Sequence, residues 1–425
     1  MLTGTMQGRK YRAVVRDQRG AAIEELTLLP LDEDRVIVRT QAAQCTYSNL
    51  NQILGNQPLR QGQAPFITGQ GGVGIVEAVG SRVRRVQVGD RVLVPDGPYC
   101  GQCYMCLRGR PDRCMMTTGT GENPMVPVAR RSSGEPVAQW INSGGFSELM
   151  VPNEWYCIPM FDNVTPAIEL AMLVETSCVG LGTVFGAAPV EPGTDVVVFG
   201  CGPVGLGAIQ GARIKGASQI IAVEPIGYRR DVALKVGATM ALDPGEYYSN
   251  ATTEPENVNP FFVERDELVR KLRELCRGPT DRRLAGGRPG DLNRNNAGPD
   301  YVIEAVGGDL FPPKHPGPDP TGILSLRQAW ALCSAAGHLS TVSVSQKGNF
   351  VLPGNAWSNA SKNHHPGTHN GLSTLRDLPR FARLIRTGQF NAKALATSTY
   401  TLDQFREAHQ QVADRTTIAA IIVFG

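Results

Sequence analysis

The sequence predicts an α/β protein of two domains: a β-rich first domain, then a domain built on a doubly wound parallel sheet. Three observations carry this. Residues 9–150 hold short β-type segments separated by glycine–aspartate turns. Residues 194–236 alternate strand, helix, strand and helix patterns. The chain has 425 residues, more than one ordinary domain holds. Hydrophobic residues make up 41% and charged residues 19%, enough to build a core, which excludes a disordered chain. No run approaches the ~18–20 uninterrupted apolar residues of a membrane span. The opening MLTGTMQGRKYRAVV shows no secretory signal pattern, so a cytoplasmic location is expected. The 42 basic and 39 acidic residues nearly cancel, which gives no electrostatic case for nucleic acid or a membrane as partner.

Each element has its own signal. Segments 11–15, 35–39, 74–79 and 91–94 read as strands, with Val88-Gly89-Asp90 as a typical turn between them. Segment 167–174 reads as a helix. TDVVVFG, 194–200, is apolar and β-branched without polar alternation, the pattern of a parallel strand buried on both faces. A helix of small residues (204–215), a strand (219–224) and a helix (229–236) follow, which makes a βαβ unit. Residues 245–299 interrupt the rhythm as a polar, exposed insertion; within it 262–275 can form a helix, and 277–299 reads as a long loop. Strand patterns resume at 300–306 and 337–344, helices at 376–387 and 402–413, and a last strand at 418–424. Histidines His364, His365 and His369 fall in a stretch that reads as a solvated turn, with a metal or proton role as the alternative.

Four of the ten cysteines crowd together as C-x2-C-x2-C-x7-C: Cys100, Cys103, Cys106 and Cys114. Such spacing lets short turns bring four thiolates around one zinc, and four sulfur ligands leave no open position, so the site is structural. An iron–sulfur cluster or unrelated thiols are the alternatives. Gly200-Cys201-Gly202-Pro203-Val204-Gly205 is G-x-G-x-x-G directly after a buried strand and opening a helix, the context in which this motif binds a dinucleotide. Gly200 allows the turn, Gly202 lets backbone approach the pyrophosphate, and Gly205 lets helix pack on strand. Glu224 lies about 20 residues on, where a carboxylate accepts both ribose hydroxyls and repels a 2′-phosphate. That favours NAD over NADP, although Arg229 or Arg230 is placed to reach a phosphate.

These features together resemble the medium-chain dehydrogenase/reductase superfamily, the group of the zinc alcohol dehydrogenases. Gly69 to Val83, the Val88–Val92 turn, the cysteine lobe, the glycine turn and Glu304-Ala305-Val306-Gly307 carry the resemblance. It implies a GroES-like β-rich catalytic domain over 1–185 with its zinc lobe at about 97–116. A Rossmann NAD-binding domain over 186–348 and a return segment over 349–425 would follow. It also implies an active site between the domains, a homodimer or homotetramer, and a small-molecule substrate. Pro203, Val204, Val306 and Val342 join the glycines, Glu224 and Arg229 as candidate cofactor residues.

The catalytic zinc of this family is held by an early cysteine, a histidine in a Gly-His-Glu triplet, and a later cysteine or glutamate. Here the triplet reads Gly69-Gln70-Gly71, and no histidine precedes His315. Aligning Ser48-Asn49-Leu50 on the usual Ser-Asp-Leu puts Thr46, not Cys45, at the early ligand position. Glu175 and Cys178 match the third position. Glutamine is a poor zinc ligand, so a structural zinc without a catalytic one is expected. Hydride transfer then suits an already activated double bond or carbonyl. Tyr47 is the first candidate proton donor, since a phenol of ordinary pKa near ~10 stays protonated at neutral pH. Cys45, Gln70 and Cys178 line the candidate site with it. The resulting expectation is an NAD-linked oxidoreductase without catalytic metal. The alternatives are an alcohol or aldehyde dehydrogenase with an altered zinc site or tightly held NAD, and a non-catalytic dinucleotide-binding protein.

Overall fold

A computed structural model describes the chain except residues 1–6, 56–58, 60–63, 117–123, 162, 251–265, 277–297, 344–348, 353–360, 368 and 370. It divides into two compact units, Met1–Cys178 with Gly371–Gly425, and Val179–Asn370. No helix among the described residues is long and apolar enough to cross a membrane.

The first unit is β-rich, as expected. Lys10–Asp17, Gly20–Leu28, Pro127–Arg130, Pro136–Gln139 and Phe66–Ile67 close into a barrel. A seven-stranded sheet runs Ile158–Met160, Arg91–Val94, Gly72–Val79, Val36–Cys45, Ala420–Val423, Ser398–Tyr400, with Leu149–Met150 also on Val36–Cys45. Alternation along Val36–Cys45 serves two cores: Val36 and Val38 pack with Val76, Val92, Val94 and Met150, while Ala43 and Cys45 pack with Phe146, Phe405 and Ile422. The end of the chain reaches this second core, because Ala420 pairs with Cys45 across antiparallel strands. That pairing fixes where residue 46 leaves the sheet.

His409 belongs to this core too. It is fully buried, with Nδ1 2.6 Å from the Phe405 carbonyl and its ring edge-on to Phe146 at 5.0 Å. Burial pushes its pKa down to about 4.

The second unit is a six-stranded sheet, parallel throughout. Its spatial order is Met240–Leu242, Gln219–Val223, Asp195–Phe199, Tyr301–Glu304, His338–Thr341, Asn363–Pro366. Counted along the chain, that order is third, second, first, fourth, fifth, sixth, the arrangement of a doubly wound dinucleotide fold. Val196–Phe199 of the first strand are all buried, which is why no polar alternation marks them. The helix expected within the insertion exists as Glu267–Leu275, capped by Asp266 Oδ1 accepting from Val269 N at 2.9 Å. It is not an exposed appendage: Leu268, Val269 and Leu272 lie in the core on the sheet beside Val223 and Trp330. The expected start at 262 and nearly all of the 277–299 loop lie outside the described residues.

The histidine stretch corrects the sequence reading. Asn363–Pro366 is no turn; it is the sixth strand, in register with His338–Thr341. As an edge strand it carries polar, mostly exposed residues, so its pattern hides its pairing. His338 Nδ1 lies 2.9 Å from His365 Nε2, with ring planes 14° apart and centroids 5.1 Å apart. That centroid separation is about the nitrogen gap plus the two ring radii, so the rings meet head to head in one plane and share a hydrogen bond. His364 Nε2 lies 3.0 Å from Thr341 Oγ1.

His409 generates a pH prediction. An unfolded histidine titrates near ~6.5, and the folded one lower, so the folded state favours the neutral ring. Its contribution is complete above about pH 6.5 and is lost as pH falls toward about 4. His409→Leu is therefore expected to shrink the drop in Tm between neutral and mildly acidic buffer, measured by thermal melts across that range.

Candidate functional site

The candidate cofactor residues gather at and after the C-terminal ends of the first, second, fourth and fifth strands of the parallel sheet. The strand order reverses between the first and fourth, which is where such sheets open a ligand crevice. Gly200 adopts φ +88°, and a Cβ on Gly205 would lie 1.8 Å from the Gly200 carbonyl oxygen. A Cβ on Gly202 would meet nothing within 4 Å, so that backbone is open to an approaching ligand. Pro203 is the first residue of helix Pro203–Lys215, whose N-terminus suits a phosphate, and Val204 follows it.

Glu224 sits immediately after the second strand and is 3% exposed. Its Oε2 accepts from Cys201 N at 2.7 Å and its Oε1 from Ile226 N at 3.1 Å, so it ties the glycine turn to the neighbouring strand end. Arg230 is engaged locally: Nη1 donates to the Glu224 and Pro225 carbonyls, both at 2.8 Å, and pairs with Asp243 at 2.9 Å. Arg229 Nε lies 3.1 Å from Tyr228 Oη. Val306 is exposed, and Val342 is buried with its amide on the Glu304 carbonyl at 3.0 Å.

The four cysteines converge. Their sulfurs all lie within 4.8 Å of one another, with Cys100–Cys106 at 4.0 Å and Cys103–Cys114 at 3.9 Å. Sulfurs at ~2.3 Å from a tetrahedral centre stand ~3.8 Å apart, so the donor set and its spacing fit one zinc. Cys103 N and Met115 N point at Cys100 Sγ (3.3 Å) and Cys103 Sγ (3.4 Å), the backbone support that thiolates require. Arg85 clamps the lobe from below, with Nη2 on the Tyr99 carbonyl at 2.8 Å and Nη1 on the Trp155 carbonyl at 3.1 Å.

In the first unit a polar cluster forms around Gln70. Gly69 and Gly71 flank it at φ +95° and +97°, and a Cβ on Gly71 would lie 1.8 Å from the Val94 carbonyl oxygen, which pins the segment to the sheet. Thr46 caps the short turn Tyr47–Asn49, with Thr46 Oγ1 donating to Asn49 Oδ1 at 2.8 Å. One terminal atom of Gln70 stands 2.5 Å from Ser48 Oγ and 2.6 Å from Asn49 Nδ2. The same atom stands 3.1 and 3.3 Å from the two Glu175 oxygens. As an oxygen it accepts from Asn49; turned over, as a nitrogen, it donates to Glu175. An ionised Glu175 therefore calls for the nitrogen, and a protonated one permits the oxygen. Ser48 Oγ also donates to Glu175 Oε1 at 2.6 Å.

Of the residues singled out from sequence, Gln70 and Glu175 meet here, with Thr46. Tyr47 is half-buried on the same turn. Cys45 is packed in the core behind it, where burial pushes its thiol pKa up. Cys178 Sγ faces the Glu175 carbonyl at 3.3 Å. Ser48 and Asn49, which link the cluster, were missed as actors; their only sequence signal is a match to a family triplet.

Residues 32–162 match the alcohol dehydrogenase GroES-like domain. The chain is 26% identical to a putative alcohol dehydrogenase D of Mycobacterium tuberculosis over 435 residues, covering 97% of this chain and 100% of that protein. It is 27% identical to an NDMA-dependent alcohol dehydrogenase of Amycolatopsis methanolica over 424 residues, covering 97% and 99%. An alcohol dehydrogenase zinc-binding domain protein from Burkholderia ambifaria shares the fold, with TM-score 0.78 at 23% identity over 98% of this chain and 99% of that one. With a match to the alcohol dehydrogenase GroES-like domain, a doubly wound sheet and relatives aligned end to end, the chain is similar along nearly its whole length to the medium-chain dehydrogenase/reductase superfamily.

Proposed function

We propose that the chain is an alcohol or aldehyde dehydrogenase with an altered catalytic centre, using NAD. The observation that carries this is the end-to-end match to two proteins named as alcohol dehydrogenases. The superfamily supplies the coarser statement, NAD(P)(H)-dependent oxidoreduction. The carboxylate of Glu224 beside the glycine turn, which disfavours a 2′-phosphate although both its oxygens are already bound to backbone amides, and the local engagement of Arg230 support NAD over NADP.

The family's catalytic zinc does not fit the residues present. Its ligand positions hold a threonine hydroxyl, a glutamine amide and Glu175, and among the described residues only the four-cysteine lobe gathers three or more metal-type donors. The nicotinamide, when bound, takes or gives the hydride. The chain's own part is the proton. Ser48 Oγ, between Gln70 and Glu175, accepts a proton from an alcohol hydroxyl as its own passes to Glu175 Oε1; reduction runs the reverse way. Tyr47 orients the substrate from the same turn, and Cys45 and Cys178 act as packing rather than as nucleophiles. A second reading, reduction of an activated double bond such as an enone or quinone, is favoured by the lack of a Lewis-acid donor set around Gln70.

Elemental analysis of unchelated protein is expected to give about one zinc per chain. Cys103→Ser is expected to lose that zinc and lower Tm. Turnover is expected with alcohols and NAD+; activity confined to enones or quinones with NADH would favour the second reading. Glu175→Gln is expected to lower kcat about 100-fold while leaving the zinc count unchanged. Two zincs in the wild type and one in this variant would show Glu175 to be a ligand and remove the metal-free centre.

A further inference from the structure

Glu304 ends the fourth strand of the parallel sheet, beside Phe199 of the first, at the point where the strand order reverses. It is 1% exposed, and burial raises its pKa above the usual carboxylate range. No basic side chain pairs with it among the described residues. Hydrogen bonds hold it instead. Oε1 accepts from Val306 N at 2.9 Å and from Ser325 Oγ at 3.0 Å, and Oε2 accepts from Ser343 Oγ.

These donors come from three separate segments. Val306 is in the turn after the fourth strand, Ser325 opens helix Ile323–Leu332, and Ser343 follows the fifth strand. The turn after the fourth strand in turn abuts the glycine turn: a Cβ on Gly200 would lie 2.8 Å from the Ala305 carbonyl oxygen and 3.2 Å from Val306 Cγ2. Ala305 N donates to the Phe199 carbonyl at 2.9 Å. A buried carboxylate with no counter-charge is a costlier way to hold a fold than an amide of the same shape. Its gain is acceptor capacity, because a carboxylate accepts on both ends and an amide on one.

We propose that Glu304 is a positioning residue for the dinucleotide. Its carboxylate gathers the turns after the fourth and fifth strands, and the start of the helix between them, into the arrangement that meets the cofactor. This rests on the reading of the second unit as dinucleotide-binding.

The test titrates NADH and NADPH into intact protein and measures turnover at saturating cofactor with the best substrate found. The proteins are wild type, Glu304→Ala, Glu304→Gln and the Ser325→Ala, Ser343→Ala double variant. Glu304→Ala is expected to weaken cofactor binding about tenfold, with kcat at saturation changed less than about threefold. Glu304→Gln is expected to fall between, because its oxygen keeps the Val306 and Ser325 bonds. The double variant keeps the carboxylate and loses two donors; it is expected to weaken binding in the same sense, and it decides the matter if Glu304→Ala does not fold. Unchanged affinity in the folded variants overturns the assignment. So does a loss that follows Tm with no recovery in Glu304→Gln. If the wild type binds neither nucleotide, the cofactor reading itself fails; if it binds and the variants bind alike, only the role of Glu304 falls.

Discussion

A Cβ on Gly205 would stand 1.8 Å from the Gly200 carbonyl oxygen, and that exclusion organises the second unit. Only a bare backbone lets helix Pro203–Lys215 start this close to the end of its strand. The helix N-terminus then faces the crevice, and Cys201 N turns toward Glu224 instead of solvent. The same exclusion recurs in the first unit, where a Cβ on Gly71 would stand the same 1.8 Å from the Val94 carbonyl oxygen. The candidate site of each unit thus hangs on a backbone contact that no side chain can enter. Side chains beyond those contacts can change without moving the scaffold.

The cluster around Gln70 illustrates that freedom. The glycine pair that would present a family histidine is intact, but it presents an amide. Around it, Thr46, Ser48, Asn49 and Glu175 close a hydrogen-bonded set in which each group has a neutral or negative partner. On the proposed reading of the function, a chain of exchangeable protons stands where the resembled family holds a cation. Such a set stabilises charge less strongly than a divalent metal, and it moves charge more readily.

Much of the fold was legible because it is written in local pattern. Arg91–Val94, Asp195–Phe199 and Pro203–Lys215 each carry their period and punctuation within a dozen or so residues. Contacts between distant segments were less legible. Asn363–Pro366 is a strand because His338–Thr341 lies beside it, and NHHP has no alternation that announces this. The burial of Leu268, Val269 and Leu272 was masked by the polar sequence around them. In the candidate site, Gln70 stood out as a missing histidine, whereas Ser48 and Asn49 are ordinary turn residues whose importance comes from what faces them. Glu304 was visible only as part of a family match; its partners Ser325 and Ser343 lie 21 and 39 residues away.

The head-to-head imidazoles of His338 and His365 give the edge of the parallel sheet an uncommon property. One ring must donate the hydrogen between them and the other accept it, so the tautomer of each imidazole is set by the other. The outermost strand, which offers little apolar surface, is thus fastened to its neighbour side chain to side chain as well as along the backbone.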